Sequence, residues 1–77
     1  MTHYEYAIEY LTLRMCESIS HVQMWMHAEQ GDFEDAMWCQ FSFLFYHDAA
    51  NEMAEKMTGQ QTAELVKLFD IAYGVTR

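Results

Sequence analysis

Three of the 77 residues make the best case for a reacting or metal-holding centre: Glu17, His21 and Cys39. Glu17 and His21 stand one helical turn apart, and a reversal of the chain near Gly31 brings Cys39 to the level of His21. Carboxylate, imidazole and thiolate are all zinc ligands, so the trio has the chemistry of a metal site. Nothing else supports it. The four histidines, two cysteines and twelve acids contain no C-x-x-C, H-x-x-x-H, H-E-x-x-H or E-x-x-H spacing. Ser18, Ser20 and Ser42 fall mid-helix, without the strained turn that exposes a nucleophilic hydroxyl. Cys39 lies between Trp38 and Phe41, an apolar setting that disfavours the reactive thiolate. No glycine-rich phosphate loop is present. The expectation is a protein without catalysis, cofactor or metal, with His21 at a helix boundary.

The acids carry more information. With four basic residues against twelve acidic, the net charge is −8 and the isoelectric point about 4.6. Nucleic acid repels such a chain, because affinity there comes from Lys and Arg on phosphates. Anionic membrane surfaces are disfavoured for the same reason. Protein partners, above all basic ones, are favoured. Asp48, Glu52 and Glu55 follow i, i+4, i+7 spacing on one helix side, with Glu5 and Glu9 expected at the same end of the molecule. Glu29, Asp32, Glu34 and Asp35 form a second group around a turn. Both groups are candidate partner-binding surfaces. Trp25, Trp38, Phe41 and Phe45 are the candidate anchors, aromatic residues being enriched at binding hot spots. Trp25 and Trp38 are expected near one level, able to share a patch.

Three helices must position these groups. Thr2 to Glu5 reads T-x-x-E, a capping box. Tyr4, Ile8, Leu11, Met15, Ile19, Val22 and Met26 then recur at helical spacing, which predicts a first helix over about 3–29. Gly31 marks a turn. Asp32 caps a second helix, about 33–57, with Phe33, Met37, Phe41 and Leu44 on one line, Trp38, Phe45 and Ala49 on neighbouring lines, and Gly59 as its stop. Thr62 caps a third helix, about 62–73, carrying Leu65, Val66, Phe69, Ala72 and Tyr73. The expectation is one all-α domain over 1–77, an antiparallel hairpin plus a short third helix. Its register should set Glu5 opposite Lys56 and Arg14 opposite Asp48. Cys16 and Cys39 then differ by roughly 10 Å along the axis, too far for a disulfide. No basic leader and no apolar run of ~20 residues is visible, so a cytosolic setting with two buried, reduced thiols is expected.

The segment AMWCQFSFLFYH, residues 36–47, sends apolar groups in every direction. A helix apolar all round is normally central. Helix 1 and helix 3 are expected to flank helix 2, and a second copy of the chain to close the remaining sector, giving a helical-bundle homodimer. In size, charge and aromatic content the chain is similar to phage and mobile-element proteins that block host defences, including anti-CRISPR and anti-restriction inhibitors. That likeness is compositional and implies inhibition by occlusion in the host cytoplasm. The alternatives are a structural or assembly dimer, or a metal- or ligand-binding bundle using Glu17, His21 and Cys39.

Overall fold

The computed structural model describes the backbone to Gly74 and the side chains to Ile71; the side chains of Ala72 and Tyr73, counted above on the third helix, lie outside the described residues. The described residues are all-helical: α1 spans His3–Glu29, α2 Phe33–Glu55 and α3 Gly59–Gly74. The capping box at Thr2 is present, with the Thr2 hydroxyl accepting from the Glu5 amide at 3.1 Å.

The α1–α2 turn is built from backbone bonds that the residues Gly31 and Asp32 make possible. The Gly31 amide donates to the Ala28 carbonyl and the Asp32 amide to the His27 carbonyl, the paired bonds that close a helix through a left-handed residue. Gly31 supplies that conformation, with φ of 77°. Asp32 then caps α2, its carboxylate accepting from the Asp35 amide at 3.4 Å. Changing Gly31 to alanine should cost about 1–2 kcal/mol, because a Cβ at positive φ meets the neighbouring carbonyl. Gly59 to alanine should be neutral or stabilising, since no neighbour lies within 4 Å of the added carbon and φ is not positive. Denaturant midpoints of the two variants check the contrast.

Gly59 therefore does not stop α2 as expected. It is the first residue of α3, and α2 ends at Glu55, two residues early. The cap of α3 is Thr58 rather than Thr62: its hydroxyl accepts from the Gln61 amide, and the Gln61 side chain accepts from the Thr58 amide at 2.8 Å. T-x-x-Q at 58–61 is a second capping box, which draws the helix start four residues upstream. Thr62 lies in the first turn, donating to the Thr58 carbonyl.

The packing order also differs from expectation. Among the described residues, α3 packs against α1 and not against α2, so α1 is the central helix. The reason lies in which face of α1 meets α2. The apolar line from Tyr4 to Met26 is turned away from α2: Met15, Ile19, Val22 and Met26 are each more than half exposed, and Phe69 of α3 lies beside Leu11 and Met15. The residues of α1 that reach α2 include Tyr6, Arg14, Glu17 and His21, a largely polar set. Arg14 donates to the Asn51 side chain at 2.8 Å, to Glu17 at 2.8 Å and to the Tyr10 hydroxyl at 3.0 Å. His47 lies 3.2 Å from Glu17 through Nδ1 and 3.2 Å from the Asn51 amide nitrogen through Nε2. That amide can only donate, so Nε2 accepts and Nδ1 carries the proton toward Glu17. Arg14 thus meets Asn51, not Asp48, whereas the Tyr6 hydroxyl donates to the Met53 carbonyl, so the cross-helix pairs fall on both sides of the expected register. Lys56 pairs with Glu52 at 2.9 Å rather than with Glu5.

Small side chains let the hairpin close. Among the described residues the buried ones are Ala7, Ser20, Ala36 and Ala50, and no large side chain is fully buried. The result is a thin plate of 44 × 31 × 15 Å with a radius of gyration of 15.1 Å, against about 11.5 Å for a compact chain of this length. Both cysteines are free, as expected, but half-buried rather than buried.

Candidate functional site

With α1 as the centre, the side of α2 opposite α1 has no cover among the described residues. That side carries Glu34, Trp38, Phe41, Phe45, Asp48, Glu52 and Glu55, spaced 4, 3, 4, 3, 4, 3 along the helix. All seven are exposed. This is the repeat of a helix seam made to face another element, about 32 Å long at 1.5 Å per residue. Its chemistry is divided along its length: one acid at the N-terminal end, three aromatics in the middle and three acids at the C-terminal end.

The aromatic centre is a shaped surface. Trp38 and Phe41 meet edge to face with ring centres 5.9 Å apart, and Phe45 meets Tyr46 the same way at 5.5 Å. Such pairs hold rings in fixed orientations. Trp38, Phe41, Ser42, Phe45 and Tyr46 line a shallow depression of about 290 Å³. A second depression of about 360 Å³ follows it, where Glu9 and Leu13 of α1 face Phe45, Glu52, Met53 and Lys56 of α2. Glu9 and Glu52, expected on one acidic face, are thus brought together beside an aromatic. Glu5 instead serves the α1 cap, its carboxylate accepting from the Thr2 amide at 3.4 Å. The bond from Lys56 holds the Glu52 carboxyl below its ordinary range and, in return, raises Lys56. The pair's stabilisation is present between those two ranges. It is lost as pH falls through the lowered Glu52 value or rises through the raised Lys56 value.

No family model, curated protein or solved structure matches the chain.

The other expected groups are placed as follows. Trp25 is not part of the Trp38 depression; its indole donates to His21 Nε2 at 3.2 Å on α1, and His21 in turn lies 5.2 Å from the Phe43 ring. Glu17 is bound to Arg14 and His47, so Glu17, His21 and Cys39 do not converge as a ligand set. Among the described residues the group with metal-ligand proximity is His27, Asp32 and Asp35 at the turn, with ligand atoms within 4.8 Å of one another. His27 Nδ1 is buried without a hydrogen-bond partner, 3.7 Å from the Asp32 carboxylate. The capping role of Asp32 accounts for this group. Asp35 is raised above the ordinary carboxylate range, chiefly by its hydrogen bond to Asp32 and then by the charge of Asp32. Of the turn acids, Glu34 belongs to the outward seam of α2, and Glu29 is exposed at the end of α1.

Sequence reasoning found the aromatics and the acids but not their union on one line. The signal was available as the unbroken 4, 3 alternation from Glu34 to Glu55. It was hidden by the neighbouring line through Phe33, Met37 and Leu44, which reads as the more apolar face. None of the described helices is long and apolar enough to cross a membrane.

Proposed function

We propose that this chain is a protein-binding inhibitor that works by occlusion, using the outward seam of α2. The observation that carries the proposal is the exposed line Glu34, Trp38, Phe41, Phe45, Asp48, Glu52, Glu55, with its aromatic centre and acidic ends. Aromatics at a centre and charges at a rim match how binding energy is distributed in interfaces: the centre is desolvated and dominates affinity, while the rim steers approach and sets partner choice. The matching partner surface has an apolar strip or pocket bordered by Lys and Arg. A groove that otherwise receives nucleic acid offers that combination, and the net charge of −8 favours the encounter. Covering such a groove in a host cytoplasm is the action of an anti-defence protein of the anti-CRISPR or anti-restriction kind, in line with the compositional likeness noted above. No proton transfer or bond cleavage is asked of any residue.

The test is charge reversal at the rim. Asp48→Lys, Glu52→Lys and Glu55→Lys together alter exposed positions of α2, and no hydrogen bond joins any of the three to α1 among the described residues. Binding of the wild-type chain to its basic partner should weaken as salt rises, through Debye screening, and the triple variant should lose most of that binding at low salt. Retention of full affinity by the triple variant in high salt would overturn the proposal.

A further inference from the structure

A second uncovered apolar surface lies on α1, and it differs from the α2 seam in carrying no acid. Between Met15 and Met26 the outward line is Met15, Ser18, Ile19, Val22, Gln23 and Met26. The one charged residue in that span, Glu17, is turned to Arg14 and His47 on the α2 side. Two shallow depressions of about 360 and 250 Å³ follow the line, the first lined by Leu11, Arg14, Met15, Ser18, Ile19 and Phe69, with Arg14 bonded to Glu17 and Asn51, and the second by Ser18, Ile19, Val22 and Gln23. α3 begins at the end of the hairpin where the Tyr6 hydroxyl donates to the Met53 carbonyl, and its Phe69 reaches Leu11 and Met15. It therefore climbs alongside the first half of α1. At 1.5 Å per residue, α3 is roughly 24 Å long against roughly 40 Å for α1, and among the described residues Ile19, Val22 and Met26 on the second half of the α1 stripe stay exposed.

We infer that a second copy of this chain covers that half, with α1 packed antiparallel on its twin. This inference does not depend on the reading of α2. Three observations select a twin over another occupant. The first is area. The chain exposes 5634 Å², whereas a folded monomer of 9.1 kDa exposes about 4,900 Å². The excess of roughly 700 Å² belongs to the whole chain, the α2 seam included, and is of the size of the ~800 Å² each partner buries in a standard stable interface. The second is charge. Two chains of −8 repel wherever acids meet, so self-association is disfavoured through the acid-ended seam of α2 and tolerated through this uncharged line. The third is self-complementarity. About a twofold axis between Ser20 and His21, Ile19 meets the partner's Val22, Met15 meets the partner's Met26, and Ser18 meets the partner's Gln23. Each contact is returned by symmetry, as an isologous interface requires.

Sedimentation and light scattering across a dilution series test the inference. The wild-type chain should hold twice its 9.1 kDa mass, and the Ile19→Asp, Val22→Asp double variant should fall to the single-chain mass while keeping its helical circular dichroism. Trp38→Ala should leave the dimer intact. A wild-type monomer at every concentration, or dissociation by Trp38→Ala instead, would overturn it. Should the aspartate variant unfold, disulfide trapping in a Cys16→Ala, Cys39→Ala background decides. Ile19→Cys protein mixed with Val22→Cys protein should cross-link faster than either alone; equal rates would refute the antiparallel register.

Discussion

Leucine in place of Ala50 should lower the thermal midpoint by about 4–24 °C. Ala7 on α1 and Ala50 on α2 are both 0 % exposed, and among the described residues no large side chain is fully buried. The helices approach closely because these positions are small. Three added carbons force them apart or into poor rotamers, at a cost of about 1–3 kcal/mol. In a domain of this length each kcal/mol moves the midpoint by roughly 4–8 °C. The displacement also strains the polar network nearby, since Asn51 accepts from Arg14 one residue further along α2. Ala54→Leu is the control. Ala54 is exposed on the same helix, so the same chemical change should stay within about 0.5 kcal/mol. Circular dichroism melts at one fixed concentration measure both, because self-association makes midpoints concentration-dependent. Equal midpoints for Ala50→Leu and wild type would mean that the helices do not meet at this position.

The second large effect is on binding and leaves the fold unchanged. Trp38→Ala and Phe45→Ala should each weaken the complex with a basic protein partner by about thirtyfold or more, the 2 kcal/mol that defines a hot spot. Trp38, Phe41 and Phe45 are all more than half exposed in the free chain, so truncating them removes little of its own packing. Helical content and midpoint should therefore stay near wild type while affinity falls, a separation that titration calorimetry and circular dichroism read independently. Ile71→Ala supplies the comparison. Ile71 is also largely exposed but belongs to α3, off the seam, and its loss should leave affinity unchanged. If all three substitutions weaken binding equally, the effect is general stickiness and not the seam.

The helices were legible because their signals are local. Thr2 with Glu5, Asp32 with Asp35, and Gly31 at positive φ each fix an end of an element through bonds within a few residues. The start of α3 was legible too, in Thr58 with Gln61, but Gly59 between them read as a stop. What the chain order could not convey was which stripe of α1 meets α2. Hydrophobic periodicity nominates the Tyr4-to-Met26 line, and in a chain with one core that nomination would hold. Here the hairpin closes on Ala7, Arg14, Glu17 and His21, whose bonds to Asn51 and His47 and ring contact with Phe43 depend on geometry across the turn. The conspicuous apolar line is left for α3 and for a surface still open. Assigning it to the hairpin puts α2 at the centre, where the structure has α1. The aromatic excess of residues 36–47 was legible as an excess; its position on the far side of α2 was not.

Photo-cross-linking from a single seam position tests the central claim most directly. A benzoyl-phenylalanine at Phe45, irradiated in a soluble cell extract, should give an adduct with a basic protein, and Asp48→Lys, Glu52→Lys, Glu55→Lys should abolish it. The same group at Val22 should give an adduct of twice the chain mass. If Phe45 yields the self-adduct or none at all, and Val22 captures the foreign protein instead, then the α2 seam is not the partner surface.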